Sequence, residues 1–246
     1  MSLSSTKKRL DVLVCERYPH ITRSQAVSFI MQGQVTVNGV IHTKAGASIE
    51  EFASIIVRVE KAPYVSRAGA KLAAALDVFS ISVEGKVALD AGISTGGFTD
   101  CLLQRGVARV YGIDVGYGLV HETIRSDPRL VLMERTNLRY MTQLPEPIDL
   151  GTLDLSFISV LKVIDPVARL MRPGAGLVVL IKPQFEAGRS QVGRGGIVSD
   201  PEVHTSVVAL VRTGIARRGF QDYGCITSPV LGGSGNKEFL AYFTKM

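Results

Sequence analysis

The stretch LDAGISTGGFTD, from Leu89 to Asp100, decides the fold class of this chain. It follows the residues KVA and leads into FTDCLLQRG, where apolar residues recur at helical spacing. In open α/β sheets, the turn between a strand and the following helix lies close to a bound ligand. The stretch therefore predicts a buried strand, a glycine-rich turn that holds a ligand, and a helix.

The rest of the chain after Gly85 alternates between strand-like and helix-like segments. Near-continuous apolar strands separated by helices indicate a mostly parallel, doubly wound sheet. DYGCITSPV and KEFLAYFTKM are joined by a Gly/Ser-rich connection that is too short for a helix, so we expect these two strands to be antiparallel. The predicted fold class is α/β, with a Rossmann-like sheet that is mostly parallel and has an antiparallel C-terminal strand. A helix over SRAGAKLAAALDVF, with Ser66 as its N-cap, is predicted before the first strand.

The first sixty residues have a different organisation. RLDVLVCERY and TRSQAVSFIMQGQ have apolar residues at helical spacing, and Thr22 with Gln25 forms a predicted capping box at the start of the second helix. VTVNGV predicts a short hairpin with an Asn-Gly turn. These elements indicate a small α+β domain over residues 1–59, a linker at 60–65 and a large domain at 66–246.

Composition limits the possible functions. A formal charge of +6 and a pI near 9.3 favour a polyanionic partner. The three cysteines have no CxxC or CxxH spacing, so we expect neither a disulfide framework nor a bound metal. The N-terminus lacks the apolar run of a signal peptide, and GLVVLI is too short to cross a bilayer. We therefore expect a cytoplasmic protein that makes no membrane contact.

The spacing of the glycine turn separates three candidate ligands. A dinucleotide fingerprint needs a glycine where this chain has Ser94, and a P-loop needs Lys-Ser or Lys-Thr where it has Phe98. S-adenosylmethionine carries no phosphate and needs no complete anion cradle. Asp114 follows the second predicted strand, 22 residues after Gly92, where a carboxylate accepts hydrogen bonds from both hydroxyls of a ribose. The pattern favours S-adenosylmethionine, with a plain tight connection as the alternative.

Two charged residues stand at the ligand-facing ends of predicted apolar strands. Asp154 follows the fourth strand in TLDLSF, and Lys182 follows the fifth in LIKPQFE. Suppose that the methyl acceptor is a ribose 2′-hydroxyl, which is a poor nucleophile. The enzyme must then hold it in line with the methyl donor and help it to lose its proton. A lysine of lowered pKa can promote that loss. Lys71 and Glu238 complete a set of two ammonium groups and two carboxylates, although charge alone favours surface positions for both.

The N-terminal motifs resemble the RNA-binding domain named after ribosomal protein S4. The matching segments are Arg9-Leu10-Asp11, Thr22-Arg23-Ser24-Gln25-Ala26 and GQVTVNG. The resemblance covers residues 7–55 and implies that four side chains face RNA: Arg9, Arg23, Ser24 and Gln32. The GRLD motif of pseudouridine synthases is absent, so that chemistry is not implied.

From Tyr64 to Phe243, the chain resembles the FtsJ-like ribose methyltransferases and, with its N-terminal domain, the TlyA family of rRNA 2′-O-methyltransferases, often labelled hemolysins. The motifs that carry this resemblance are SRAGAKL, LDAGISTGGFTDCLLQRG, LDLSFIS, IKPQFEAG, GRGGIVSDPEVH and NKEFL. The family's catalytic tetrad falls on Lys71, Asp154, Lys182 and Glu238. The implied cofactor contacts are Asp90, Gly92, Ser94, Thr95, Gly96, Gly97, Asp114, Asn137 and Asp154. Ser66 and Arg67 are implied to contact the acceptor RNA.

The resemblance implies methylation of a cytidine ribose in ribosomal RNA, either naked or within ribosomal subunits. Ile93 departs from the smaller residue expected in the turn, and its side chain either tightens the donor pocket or points away. Two alternatives remain at this point. One is a non-catalytic RNA-binding or ribosome-assembly protein with a vestigial donor pocket. The other is a membrane-active hemolysin, which no predicted membrane span supports.

Overall fold

A computed structural model describes residues 6–31, 33–58 and 63–246 of the chain. The chain divides into two compact units, Met1–Ala62 and Pro63–Met246. Gln32, which the S4 resemblance implies to face RNA, lies outside the described residues. The exact limits predicted for the two domains and for the linker stay predictions.

The small unit has an α+β fold. The predicted capping box is present, because the Thr22 backbone N–H donates to Gln25 Oε1 at 2.9 Å. The predicted hairpin is present as well, with Asn38 and Gly39 at φ 49° and 81°, the geometry that a two-residue Asn-Gly turn requires. Its helices are α1 (Leu10–Arg17) and α2 (Arg23–Met31), and its strands are β1 (Lys7–Arg9), β2 (Val35–Val37), β3 (Val40–His42), β4 (Ser48–Glu50) and β5 (Ile55–Val57).

The large unit contains a seven-stranded sheet in the order β11-β12-β10-β9-β6-β7-β8. All neighbours are parallel except at β12, which is antiparallel to both β10 and β11. The predicted α/β class and the antiparallel C-terminal strand are therefore confirmed. The strands are β6 (Val87–Ala91), β7 (Arg109–Ile113), β8 (Leu130–Met133), β9 (Ile148–Leu153), β10 (Met171–Ile181), β11 (Phe220–Thr227) and β12 (Phe239–Lys245).

Helices cover both faces of this sheet. Strand β10 shows why, since Val178 and Leu180 belong to one apolar cluster whereas Val179 and Ile181 belong to the other. A strand that is apolar on both sides has to be covered on both sides. The helices of this unit are α3 (Ala68–Val78), α4 (Gly97–Gln104), α5 (Glu122–Arg125), α6 (Ile164–Leu170), α7 (Pro183–Glu186) and α8 (Pro201–Ala216).

The start of α3 differs from the prediction. Ser66 is not the N-cap, because Arg67 occupies that position with a helical φ of −58° and no side chain caps the helix. The hydroxyl of Ser66 instead faces the glycine turn, where a Cβ built on Gly97 would lie 2.1 Å from Ser66 Oγ. The residues that precede α3 therefore pack directly against this turn.

Candidate functional site

The glycine turn between β6 and α4 permits close backbone contacts that side chains would prevent. Gly92 has a φ of +83°, and a Cβ on it would lie 2.5 Å from the Asp154 carbonyl oxygen. Gly96 has a φ of +96° and immediately precedes α4. These positions need glycine because of both their backbone conformation and the space available. The turn therefore brings the ends of β6 and β9 into direct contact.

Asp90 lies behind this turn and lines neither cavity described below. Its side chain is completely buried, and Thr99 Oγ1 donates to Asp90 Oδ2 at 2.7 Å. Thr152 Oγ1 lies 3.1 Å from Asp90 Oδ1 and 3.2 Å from the Leu89 carbonyl oxygen. Burial raises the pKa of the Asp90 carboxyl to about 7. Asp90 joins β6 to α4 and β9 and lines neither of the two cavities, so its contact with the cofactor stays a prediction.

The larger cavity measures 520 Å³ and lies at the ends of β6, β7 and β9. This volume is within the range of about 300–1,000 Å³ that is typical of small-molecule sites. Asp114 lines it, and its carboxylate accepts hydrogen bonds from the Ser94 backbone N–H at 2.9 Å and from the Gly116 backbone N–H at 2.7 Å. The predicted cofactor residues on its wall are Gly92, Ser94, Asp114, Asn137 and Asp154. Leu138, Ile158 and Val163 supply apolar wall.

A smaller cavity of 230 Å³ adjoins the first, because both are lined by Gly92, Ser94 and Asp154. It is polar, and Lys71 stands on its wall. The other predicted site residues on this wall are Ser66, Arg67, Thr95 and Gly97. The structure thus separates the predicted cofactor residues, since Thr95 and Gly97 line the smaller cavity whereas Asp114 and Asn137 line the larger one.

The four predicted tetrad residues form two ion pairs. Lys182 Nζ lies 2.5 Å from Asp154 Oδ1 and donates to Ser156 Oγ at 3.0 Å. Lys71 Nζ donates to Glu238 Oε2 at 2.6 Å, and both side chains are buried. Asp154 and Lys71 both line the smaller cavity, so one member of each pair faces the same space.

Phe157, at the rim of the larger cavity, is a feature that the sequence did not identify. This residue is 91% exposed and has a φ of +65°, a strained conformation for a residue with a side chain. Its ring lies 5.1 Å from that of Phe185, and Lys182 Nζ lies 6.0 Å from the Phe185 ring. The sequence contains one signal for this aromatic pair, because Phe157 follows shortly after Asp154 and Phe185 follows shortly after Lys182.

The predicted RNA-facing arginines of the small unit converge on one carboxylate. Arg9 Nε and Nη2 donate to the two oxygens of Asp11 at 3.0 Å, and Arg23 reaches Asp11 Oδ2 at 3.3 Å. The Arg9 guanidinium, with a further contribution from Arg23, holds the pKa of the Asp11 carboxyl below its usual range. Ser24 is exposed beside Thr22, with 3.2 Å between their hydroxyl oxygens.

Other side chains considered as functional have structural roles. His121 caps α5 through Nδ1, which accepts from the Thr123 backbone N–H, and His204 contacts the Val198 carbonyl oxygen at 2.8 Å. Ile93 is buried with its Cδ1 against Gly112, and it also lines the smaller cavity. Within residues 6–31, 33–58 and 63–246, no His/Cys/Asp/Glu cluster is suited to a metal ion, and no helix is long and apolar enough to span a membrane.

The chain is similar to known methyltransferases and to the S4 domain. The FtsJ-like methyltransferase family matches residues 64–245, and the S4 domain matches residues 8–51. YqxC of Bacillus subtilis, described as a candidate rRNA methyltransferase, is 45% identical over 98% of this chain and 86% of its own length. The 16S/23S rRNA (cytidine-2′-O)-methyltransferase TlyA of Mycobacterium tuberculosis is 39% identical over 96% of this chain and 89% of its own length. A solved structure from Streptococcus thermophilus, described as a candidate hemolysin, is 39% identical with a TM-score of 0.76, covering 99% of this chain and 90% of that chain.

Proposed function

The chain belongs to the FtsJ-like methyltransferase family and to its TlyA group, and from that premise we propose that it methylates a ribose 2′-hydroxyl of ribosomal RNA with S-adenosylmethionine as the donor. The relative from M. tuberculosis is named for cytidine in 16S and 23S rRNA, so the proposed acceptor is a cytidine ribose. We propose a cytoplasmic location as well, because ribosomal subunits are the proposed substrate. The observation that carries the proposal is the pair of adjoining cavities that share Gly92, Ser94 and Asp154.

The larger cavity fits S-adenosylmethionine. Gly92 lies on its wall without a side chain, which allows a ligand to approach the backbone. The Asp114 carboxylate accepts two backbone hydrogen bonds and keeps acceptor capacity for the hydroxyls of a ribose. Leu138 and Ile158 offer an apolar surface for a purine. When bound, S-adenosylmethionine supplies an electrophilic methyl group on a sulfonium.

The smaller cavity is the proposed position of the acceptor ribose. Lys182 is the residue proposed to orient the 2′-hydroxyl. Once its ammonium group has passed a proton to the Asp154 carboxylate beside it, the neutral amine is proposed to take the hydroxyl proton. Lys71 is proposed to hold the acceptor from the opposite ion pair, where Glu238 fixes its direction. Ser66 and Arg67, on the wall of the same cavity, are proposed to contact the RNA backbone.

The proposal is tested with purified protein, labelled S-adenosylmethionine and ribosomal subunits from cells that lack this activity. Digestion of the RNA to nucleosides is expected to yield labelled 2′-O-methylcytidine. The Lys182→Ala variant is compared in the same assay, and it is expected to bind RNA without transferring the labelled methyl group. A label on a base, or no label although the donor binds, would reject the proposed reaction. RNA binding without label from the unmodified protein would favour the non-catalytic alternative.

A further inference from the structure

The segment from Gly188 to Ile197, named here the RGG arm, is an exposed connection between α7 and α8. It consists of two short 3₁₀ turns, and Gly195 and Gly196 both have a φ of +76°. Arg189 and Arg194 are exposed, and neither guanidinium forms an ion pair or a hydrogen bond with another described residue. Two unpaired guanidinium groups on a loop of this kind suit phosphate oxygens.

The base of the RGG arm is held by the side chain of one buried residue. Asn236 is 2% exposed, its Nδ2 donates to the Gly196 carbonyl oxygen at 2.9 Å, and its Oδ1 accepts from the Val198 backbone N–H at 3.0 Å. The two bonds lie on either side of Ile197, so one amide fixes the point where the arm meets the folded domain. His204 adds a third contact, at the Val198 carbonyl oxygen.

The same short segment also positions the acidic residue of the proposed catalytic site. Asn236 stands two residues before Glu238, and its carbonyl oxygen accepts from the Gly232 backbone N–H at 2.8 Å. A Cβ on Gly232 would lie 2.0 Å from Glu238 Oε1, so this loop packs directly on the carboxylate. Glu238 in turn holds Lys71. A continuous series of contacts through Asn236, Gly232 and Glu238 therefore connects the RGG arm to Lys71.

We propose that Asn236 is a positioning residue that couples an RNA-phosphate contact, made by the RGG arm, to the placement of Glu238. This inference rests on the proposed function. Only a side chain with a donor and an acceptor satisfies a carbonyl and an N–H at once. Asn236→Asp keeps the shape but removes the donor and leaves two acceptors facing each other at Gly196. The arm and Glu238 then lose their common support.

Two measurements that need no catalysis test this coupling in the full-length protein. In Asn236→Asp, trypsin is expected to cleave after Arg189 and Arg194 about tenfold faster or more, because the base of the arm is released. Labelling by an amine-reactive ester, read by mass spectrometry, is expected to rise at Lys71, which is buried in the unmodified protein. Gln221→Glu is the matched control, since it makes the same amide-to-acid change at an exposed position.

Kinetics separate the coupling from a general structural role. Arg189→Ala/Arg194→Ala is expected to raise KM for ribosomal subunits and, because the coupled phosphate contact is lost, to lower kcat about threefold. Asn236→Asp is expected to raise KM and to lower kcat about tenfold, since it also releases Glu238. The affinity for S-adenosylmethionine is expected to stay within about twofold in both proteins. If Asn236→Asp does not fold, Asn236→Ser, which leaves room for water, takes its place.

Faster cleavage of the arm with unchanged Lys71 labelling and unchanged kcat would overturn the coupling. Wild-type cleavage together with wild-type activity would overturn the role of Asn236 altogether. An inactive unmodified protein would contradict the proposed function instead, and the cleavage and labelling results would still decide the coupling.

Discussion

The ion pairs of the two domains differ in how far their cations are exposed to solvent. In the small domain, the Asp11 side chain is 2% exposed while Arg9 and Arg23 are 56% and 66% exposed, so the guanidinium groups surround a buried carboxylate and face solvent. In the large domain, Lys71 and Glu238 are both almost fully enclosed, at 9% and 2%. The contrast indicates a division of labour. Exposed cations of fixed geometry suit a polyanion, whereas enclosed ammonium groups suit a single reacting atom from which water is excluded.

The physical reason lies in solvation. An exposed guanidinium keeps most of its hydration and exchanges it for a phosphate, so it contributes affinity that depends on salt. An enclosed ammonium group has already lost its water, and a carboxylate must compensate for that loss. Its position is therefore strongly determined, which proton transfer in a catalytic site requires.

The largest expected effect comes from breaking the Lys182–Asp154 pair. Lys182→Met keeps the aliphatic length but removes the amino nitrogen, so methylation is expected to fall by about 10² to 10⁴, the contribution of a positioned proton acceptor. Single-turnover labelling of subunits measures this rate. Lys162→Met is the control, since it makes the same change at an exposed lysine outside the tetrad. A tenfold or smaller loss would mean that another group removes the proton.

The second effect concerns stability. Lys71→Met and Glu238→Gln each leave a buried partner without its counter-charge, which is expected to lower the free energy of unfolding by about 3–5 kcal/mol. The double variant Lys71→Met/Glu238→Gln is expected to lose less than the sum of the two, because neither charge remains. Urea titrations of all four proteins test this prediction. Additive losses would show that the two side chains are not energetically coupled.

The third effect lies in the small domain. Arg9→Ala/Arg23→Ala is expected to weaken RNA binding about tenfold at moderate salt and to make its dependence on log salt shallower by about one to two units, as fewer phosphates are neutralised. Filter binding across a series of salt concentrations measures both quantities. Asp11→Asn, which loosens the geometry and keeps both arginines, is expected to act in the same direction with a smaller loss. An unchanged salt slope would contradict phosphate contact by these arginines.

The smallest effect is a change of stability with pH, caused by Asp90. Its folded-state pKa of about 7 is raised above the unfolded value, so its contribution to stability is complete below pH ~4 and is lost as the pH rises toward 7. The slope from this group reaches at most ~1.4 kcal/mol per pH unit. Asp90→Asn is expected to flatten the profile, since an amide can donate to Thr152 while Thr152 donates to the Leu89 carbonyl oxygen. Unfolding at pH 5, 6, 7 and 8 measures the difference, and equal slopes in both proteins would contradict it.

Hydrophobic pattern and glycine placement were sufficient to predict the sheet and the turn at Gly92. Ion pairs between residues that are far apart in the sequence were not predictable in this way. Lys71 and Glu238 are 167 residues apart, and on charge alone each resembled a surface residue. Their assignment came from family resemblance. The burial of Asp90 was not predictable, because a strand alternates its side chains and a carboxylate next to a ligand turn can point to either face. Asn236 remained unnoticed because GSGNK has the composition of an ordinary loop.

Single-turnover methylation over a range of subunit concentrations tests the division of labour between the two domains most directly. At saturating subunits, Arg9→Ala/Arg23→Ala is expected to reach the rate of the unmodified protein, with half-saturation displaced to higher concentration. Lys182→Met is expected to bind subunits with unchanged affinity and to remain slow at every concentration. A slow arginine variant at saturation, or a loss of subunit affinity in Lys182→Met, would contradict the separation of RNA binding from chemistry.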